Sequence, residues 1–160
     1  MGTFTIRPVE VADRNWIAKF LDEHWGSTRI VTRGQVYLAH LLPGFIAEDE
    51  DEKVGLVTYR IDGESCELMT IDSTREGEGI GTALLEAVKE AAALEGCKRL
   101  WLITTNDNFK ALKFYQKRDF HIVAVYPSAL DESRKVKPEI PLYGYDGVPL
   151  RDEIELEMPL

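Results

Sequence analysis

Apolar and polar residues alternate from Thr3 to Val9, which predicts a short strand ending beside Pro8. From Asp13, a residue type that caps helices, Trp16, Ile17, Phe20 and Leu21 recur at helical spacing and predict a first helix. The pattern breaks from Trp25 to Arg33, and 35–42 reads as a second, shorter helix stopped by Pro43-Gly44. Phe45 to Glu48 and Val54 to Arg60 read as a hairpin closed by the acidic turn 49–53. After the turn Ile61-Asp-Gly-Glu64, Cys66 to Ile71 makes a fourth strand. Ile80, Leu84, Leu85, Val88 and Ala92 then form one face of a helix that Gly96 ends. Leu100-Trp-Leu-Ile103 is an unbroken apolar run, expected of a strand covered on both faces. Asn106-Asp-Asn108 caps a helix to about Lys117, whose basic end suits the helix dipole. Phe120 to Tyr126 is a further strand, the Pro-rich 127–149 is expected to be a loop, and 151–158 alternates Ile154, Leu156 and Met158 as a last strand.

The expected order is therefore β-α-α-β-β-β-α-β-α-β-β. It is an α/β fold of the mixed α+β kind, with about four helices flanking a mixed, mostly antiparallel sheet of about seven strands. No internal repeat, linker or low-complexity tract interrupts it, so residues 1–160 are expected to form a single domain.

Composition narrows the class. At 44% hydrophobic and 29% charged, the chain matches an ordinary soluble globular protein. No apolar run is long enough to span a bilayer. The opening Met-Gly-Thr-Phe-Thr-Ile-Arg-Pro8 lacks a cationic region followed by an apolar one, so the expected location is cytoplasmic, with no membrane partner. A net charge of −9 argues against nucleic acid, whose phosphates it would repel, and suits a cationic small molecule or a basic peptide. Cys66 and Cys97 lie far apart and read as reduced, partly buried thiols. His24, His40 and His121 show no metal-ligand spacing, so no metal is expected.

One stretch departs from these patterns. In Arg75-Glu-Gly-Glu-Gly-Ile-Gly81, three glycines alternate immediately before a helix, where glycine favours neither regular structure. A turn from strand into helix presents backbone N–H groups at the positive end of the helix dipole, and a backbone without Cβ atoms lets a phosphate approach them. A tight turn with close helix–strand packing would need only one glycine. The dinucleotide fingerprint fails because Thr82 stands at its last glycine, and no Gly-Lys-Ser/Thr makes a Walker loop.

The glycine stretch with its strand and helix, followed by Asn108-Phe-Lys-Ala-Leu-Lys-Phe-Tyr115, resembles the GNAT superfamily of acyl-CoA-dependent N-acetyltransferases. The family's phosphate-loop motif, Gln/Arg-x-x-Gly-x-Gly/Ala, reads here Glu76-Gly77-Glu78-Gly79-Ile80-Gly81. Its second motif, Asn-x-x-Ala-x-x-Phe-Tyr then Gly-Phe, reads Asn108, Ala111, Phe114 and Tyr115, then Asp119-Phe120. The resemblance covers nearly the whole chain in strand order. Two departures stand out: Glu76 replaces a donor, with Arg75 next door able to supply part of the missing positive charge, and Asp119 replaces a glycine at a helix end.

The resemblance implies acetyl-CoA as co-substrate and transfer of its acetyl group to a primary amine of a small molecule, by direct attack on the thioester. It implies that the Ile71 backbone holds pantetheine as an added strand would, and that the Met69 N–H polarises the thioester carbonyl. The loop Glu76, Gly77, Glu78, Gly79, Ile80, Gly81 and Thr82 would bind pyrophosphate, and Asn108, as well as or instead of capping its helix, would contact the pantetheine arm. Tyr115 would be the general acid, since a phenol of pKa about 10 is protonated at neutral pH, against a purely packing role. Glu67, two residues before Met69 and on the same face if the strand is regular, is the candidate general base; a salt-bridged or solvated glutamate is the alternative. The acceptor site is expected from Trp25 to Arg33 and from 127–149, with Tyr143 and Tyr145 as lining and Arg134, Lys135 and Lys137 as anion contacts or solvated surface. Two other functions remain open, acetylation of a protein or peptide and a non-catalytic acyl-CoA-binding regulatory domain, and a homodimer stays open as the assembly.

Overall fold

A computed structural model describes residues 3–32 and 35–160. The elements are β1 (Thr5–Pro8), α1 (Arg14–Trp25), β2 (Arg29–Thr32), β3 (Gln35–Leu38), β4 (Gly44–Asp49), β5 (Glu52–Asp62), β6 (Ser65–Ser73), α2 (Ile80–Leu94), β7 (Arg99–Thr105), α3 (Phe109–Gln116), β8 (His121–Tyr126), α4 (Ala129–Val136) and β9 (Glu153–Pro159). Single 3₁₀ turns lie at Val11–Asp13, Ala39–Leu41 and Tyr145–Gly147. Apart from the two-stranded β2–β3 sheet, the strands make the mixed seven-stranded sheet of the expected α/β fold, with four α-helices. The chain divides into two compact units.

The first unit takes the chain up to Ile30, with Leu38–Leu100 and Leu160. Its strands run β1-β4-β5-β6, each neighbouring pair antiparallel. Alternation along β5 sends successive side chains to opposite faces. Leu56 joins Ile17, Phe20 and Leu21 of α1, with Ile46 and Ala39, in one buried cluster. Its neighbour Gly55 faces α2, where a Cβ would stand 2.7 Å from Ile80 and 3.1 Å from Leu84. The α2 residues Ile80, Leu84, Leu85, Val88 and Ala92 are all buried, the stripe read from the sequence. Gly96, at φ 85°, ends that helix.

The second unit, Val31–Tyr37 and Trp101–Pro159, contains α3, α4 and the antiparallel pair β8/β9. Two expectations fail. The helix expected over 35–42 is β3 followed by a 3₁₀ turn, with the Ala39 N–H donating to the Thr28 carbonyl at 2.9 Å. Val36, Leu38 and Leu41 are 44–48% exposed, so no apolar stripe is buried to hold a helix there. The expected loop 127–149 contains α4 instead. Its prolines, Pro127 and Pro138, flank the helix, Leu130 and Ser133 are buried, and acids in the first turn with bases in the last complement the dipole. The helix number is as expected, but the helix order is not.

Asp13 also acts differently from the expected cap. It closes the 3₁₀ turn, accepting from the Glu10 N–H at 2.7 Å, and makes no side-chain cap to α1. Arg7 grips its carboxylate through two hydrogen bonds of 2.7 and 2.8 Å and also binds Glu48. Those bonds pull the Asp13 pKa down to about 2 against burial, which opposes ionisation. A carboxyl more acidic when folded adds stability above the ordinary carboxylate range and loses it as pH falls toward 2. Asp13→Asn is therefore expected to lower the unfolding free energy by about 2 kcal/mol at pH 7. Urea melts of the two proteins should converge as the pH approaches 2.

Candidate active site

The register of β5 against β6 contains one irregularity, and it falls on a predicted site residue. Thr58 faces Thr70 and Tyr59 faces Leu68, which leaves Met69 as the extra residue of a bulge. Bulges turn the backbone out of the ladder and re-aim its groups, and they concentrate beside active sites. The bulge also resets the faces. Directly opposed residues share a face, and Arg60 faces Glu67 while Thr58 faces Thr70, so Glu67 lies with Thr70 and Asp72. The alternation expected to put Glu67 with Met69 is broken by the extra residue.

That face of the first unit carries a row of polar groups. Glu67, 3% exposed, accepts from Arg60 Nη2 at 3.1 Å. The Thr58 and Thr70 hydroxyls, both buried, meet at 2.7 Å. Asp72 accepts from the Trp25 indole N–H at 2.5 Å, and burial raises its carboxyl while that N–H and the nearby His24 oppose the rise. Asp72, Thr58 and Thr70 were not among the residues singled out from the sequence. Their signal was there, as polar residues two apart in otherwise apolar strands, but the bulge hid which of them share a face.

The glycine stretch follows. Gly77 and Gly79 have φ of 78° and 79°, and a Cβ on either would meet nothing within 4 Å. Conformation, not crowding, is therefore what selects glycine here. Gly79 is the N-cap of α2, whereas Gly81 already lies inside the helix. The backbone thus turns left-handed twice and then presents the first amides of a 15-residue helix to open space. Glu76 is exposed and Glu78 stands 3.9 Å from Arg75. Arg75 cannot supply the charge that Glu76 lacks. Its guanidinium is bound by Asp49 and lies 2.7 Å from Glu52, at the β4–β5 turn. An anion at this turn would be held by amides and the helix dipole, with acidic side chains around it.

In the second unit, Asn108 is the N-cap of α3, its Oδ1 accepting from the Ala111 N–H at 3.1 Å, which leaves its amide N–H groups as donors. Tyr115 is 5% exposed and sits edge-on to Phe114 and Phe120, with ring centroids 5.1 and 5.3 Å away. Asp119 takes the left-handed conformation, φ 70°, expected of a residue in a glycine's place. Arg134 donates to three backbone carbonyls, so it is a structural clamp and not an anion contact. Lys135 pairs with Glu132 at 3.1 Å. Tyr143 and Tyr145 are exposed, and Arg33 lies outside the described residues. Among the described residues, no three His, Cys, Asp or Glu side chains gather as a metal set. Cys66 and Cys97 are buried free thiols, the first pushed up to about 12 chiefly by burial.

A bulged strand, a glycine turn at a helix start and a capped helix bearing a buried tyrosine follow one another here as in an acetyltransferase. The chain belongs to the Acetyltransferase (GNAT) family, which matches residues 12–120. It is similar to the uncharacterized protein YdhI of Bacillus subtilis (strain 168), 43% identical over 142 residues, which are 88% of this chain and 89% of that protein. It is also similar to the uncharacterized protein YxbD of the same strain, 40% identical over 152 residues, 94% and 96% of the two chains. In fold it matches the crystal structure of a GNAT family acetyltransferase from Elizabethkingia anophelis with acetyl-CoA bound, with TM-score 0.71, 21% identity and full coverage of both chains. Among the described residues, no helix is long and apolar enough to cross a membrane.

Proposed function

We propose that this protein, working as one domain in the cytoplasm, transfers the acetyl group of acetyl-CoA to a primary amine of a small molecule. The observation that carries the reading is the stretch Met69 to Ile80, where a bulge and two left-handed glycines lead into the start of α2. Acetyl-CoA, when bound, supplies an activated acyl carbon. The Met69 N–H donates to the acyl oxygen as negative charge grows there. The backbone of Ile71 holds the pantetheine arm. The segment Glu76, Gly77, Glu78, Gly79, Ile80, Gly81 and Thr82 holds the pyrophosphate through its amides, and the side-chain amide of Asn108 donates to the arm. As the N–C bond forms and the C–S bond breaks, Glu67, oriented by Arg60, takes the amine's proton and Tyr115 donates one to the departing sulfur.

Thiol release from acetyl-CoA across a panel of amines tests the reading. Turnover with at least one primary amine is expected, and saturable acetyl-CoA binding with no turnover on any amine would replace the enzyme with a sensor. Glu76 supplies a finer test. Glu76→Gln removes a negative charge beside the pyrophosphate and is expected to tighten CoA binding about fivefold, roughly 1 kcal/mol of partly screened repulsion. Unchanged or weaker binding in a calorimetric titration would mean that Glu76 faces away.

A further inference from the structure

Tyr143 and Tyr145 are each 65% exposed and Leu142 is 68% exposed, yet the backbone beneath them is tied down. The segment folds back on itself. The Gly144 N–H donates to the Val148 carbonyl at 2.8 Å, the Leu150 N–H donates to the Leu142 carbonyl at 3.0 Å, and Tyr143 faces Pro149. Arg134 holds both feet of this hairpin, donating to the carbonyls of Ile140 at 3.2 Å, Pro141 at 2.6 Å and Leu150 at 2.5 Å. Asp107, 3% exposed, pins the tip by accepting from the Tyr145 N–H at 2.9 Å and the Thr105 hydroxyl at 2.5 Å. The fit is close: a Cβ at Gly144 would collide with the Asp107 carboxylate. Aromatic rings carried on an ordered backbone lose little conformational freedom on binding, and so they anchor ligands well.

Position and charge indicate what such a platform would hold. Asp107 precedes Asn108, the cap of the helix that carries Tyr115, so the hairpin is fastened to a turn assigned to the donor. The exposed charges beside the tyrosines, Glu139 and Asp146, are acidic, while Arg134 is engaged with backbone and Lys135 with Glu132. A cation would find acids and two aromatic faces here, and an anion would find repulsion. The chain's net charge of −9 acts in the same sense. Resting on the acetyl-transfer reading, we propose that the hairpin Leu142 to Leu150 is the specificity element for the acceptor. It selects a small diamine, whose distal ammonium lies against Tyr143 and Tyr145 beside Asp146 while the other nitrogen is acetylated.

Calorimetric titration of the full chain with 1,4-diaminobutane and with butylamine tests this directly. The diamine is expected to bind about tenfold more tightly, the size of two exposed cation–π contacts. The double variant Tyr143→Ala/Tyr145→Ala should lose that preference, while Tyr143→Phe/Tyr145→Phe should keep it, because the ring and not the hydroxyl makes the contact. Asp146 has φ 57°, a conformation asparagine also adopts, so Asp146→Asn removes the charge without strain and should weaken diamine binding about threefold. Equal affinity of the two amines for the wild-type protein, or a preference that survives in the alanine pair, would overturn the proposal. Diamine binding without acetylation would count against the acetyl-transfer reading and leave this one standing. Acetylation of both amines with equal efficiency would do the reverse.

Discussion

Tyr115→Phe is expected to lower kcat for acetyl transfer roughly 10²–10⁴-fold, the usual span for losing a general acid. Acetyl-CoA binding and thermal stability should change little. The ring fills a site 5% exposed between Phe114 and Phe120, and phenylalanine fills it equally well. What the substitution removes is the proton for the departing thiolate, so the loss should appear in kcat and not in the KM for acetyl-CoA. Steady-state kinetics at saturating amine, with a melting curve of each protein, separate the outcomes. An unchanged kcat removes Tyr115 from the chemistry, and a large drop in melting temperature would make its role one of packing.

Gly79→Val is expected to weaken acetyl-CoA binding by about tenfold to a hundredfold. Nothing crowds the position, so the cost arises from the backbone alone. A β-branched residue at φ 79° costs on the order of 1–3 kcal/mol, and it relaxes by moving the cap of α2 and with it the amides of the first turn. Gly79→Asn separates this cost from simple loss of space. Asparagine tolerates the left-handed region, so this variant should keep the wild-type melting temperature and lose much less affinity than valine. If asparagine and valine weaken binding equally while both proteins stay equally stable, bulk at the turn matters and its conformation does not.

The parts of this protein legible in its sequence are those governed by local periodicity. The buried face of α2, from Ile80 to Ala92, follows from spacing alone, and the Asn108 cap and the left-handed Asp119 follow from residue type and position. Tertiary context decides the rest. Residues 35–38 pair as β3 because no core is available to bury a helix there, and α4 forms because Leu130 and Ser133 find a buried side between flanking prolines. The bulge at Met69 has no composition signature, so strict alternation assigns Glu67 to the wrong face and misses the row formed with Thr58, Thr70 and Asp72. Arg75 is the converse case. It stands beside the glycines in sequence, but its charge is neutralised by Asp49 and Glu52 across the β4–β5 turn.

Mass spectrometry of a reaction containing the protein, acetyl-CoA and a primary amine tests acetyl transfer most directly, with free thiol quantified in the same samples. Acetyl transfer predicts that N-acetylated amine and free CoA appear in equal amounts, at a rate that depends on the amine and collapses in Tyr115→Phe. Thiol release without acetylated amine, or acetyl-CoA bound and recovered intact with every amine tried, would contradict it.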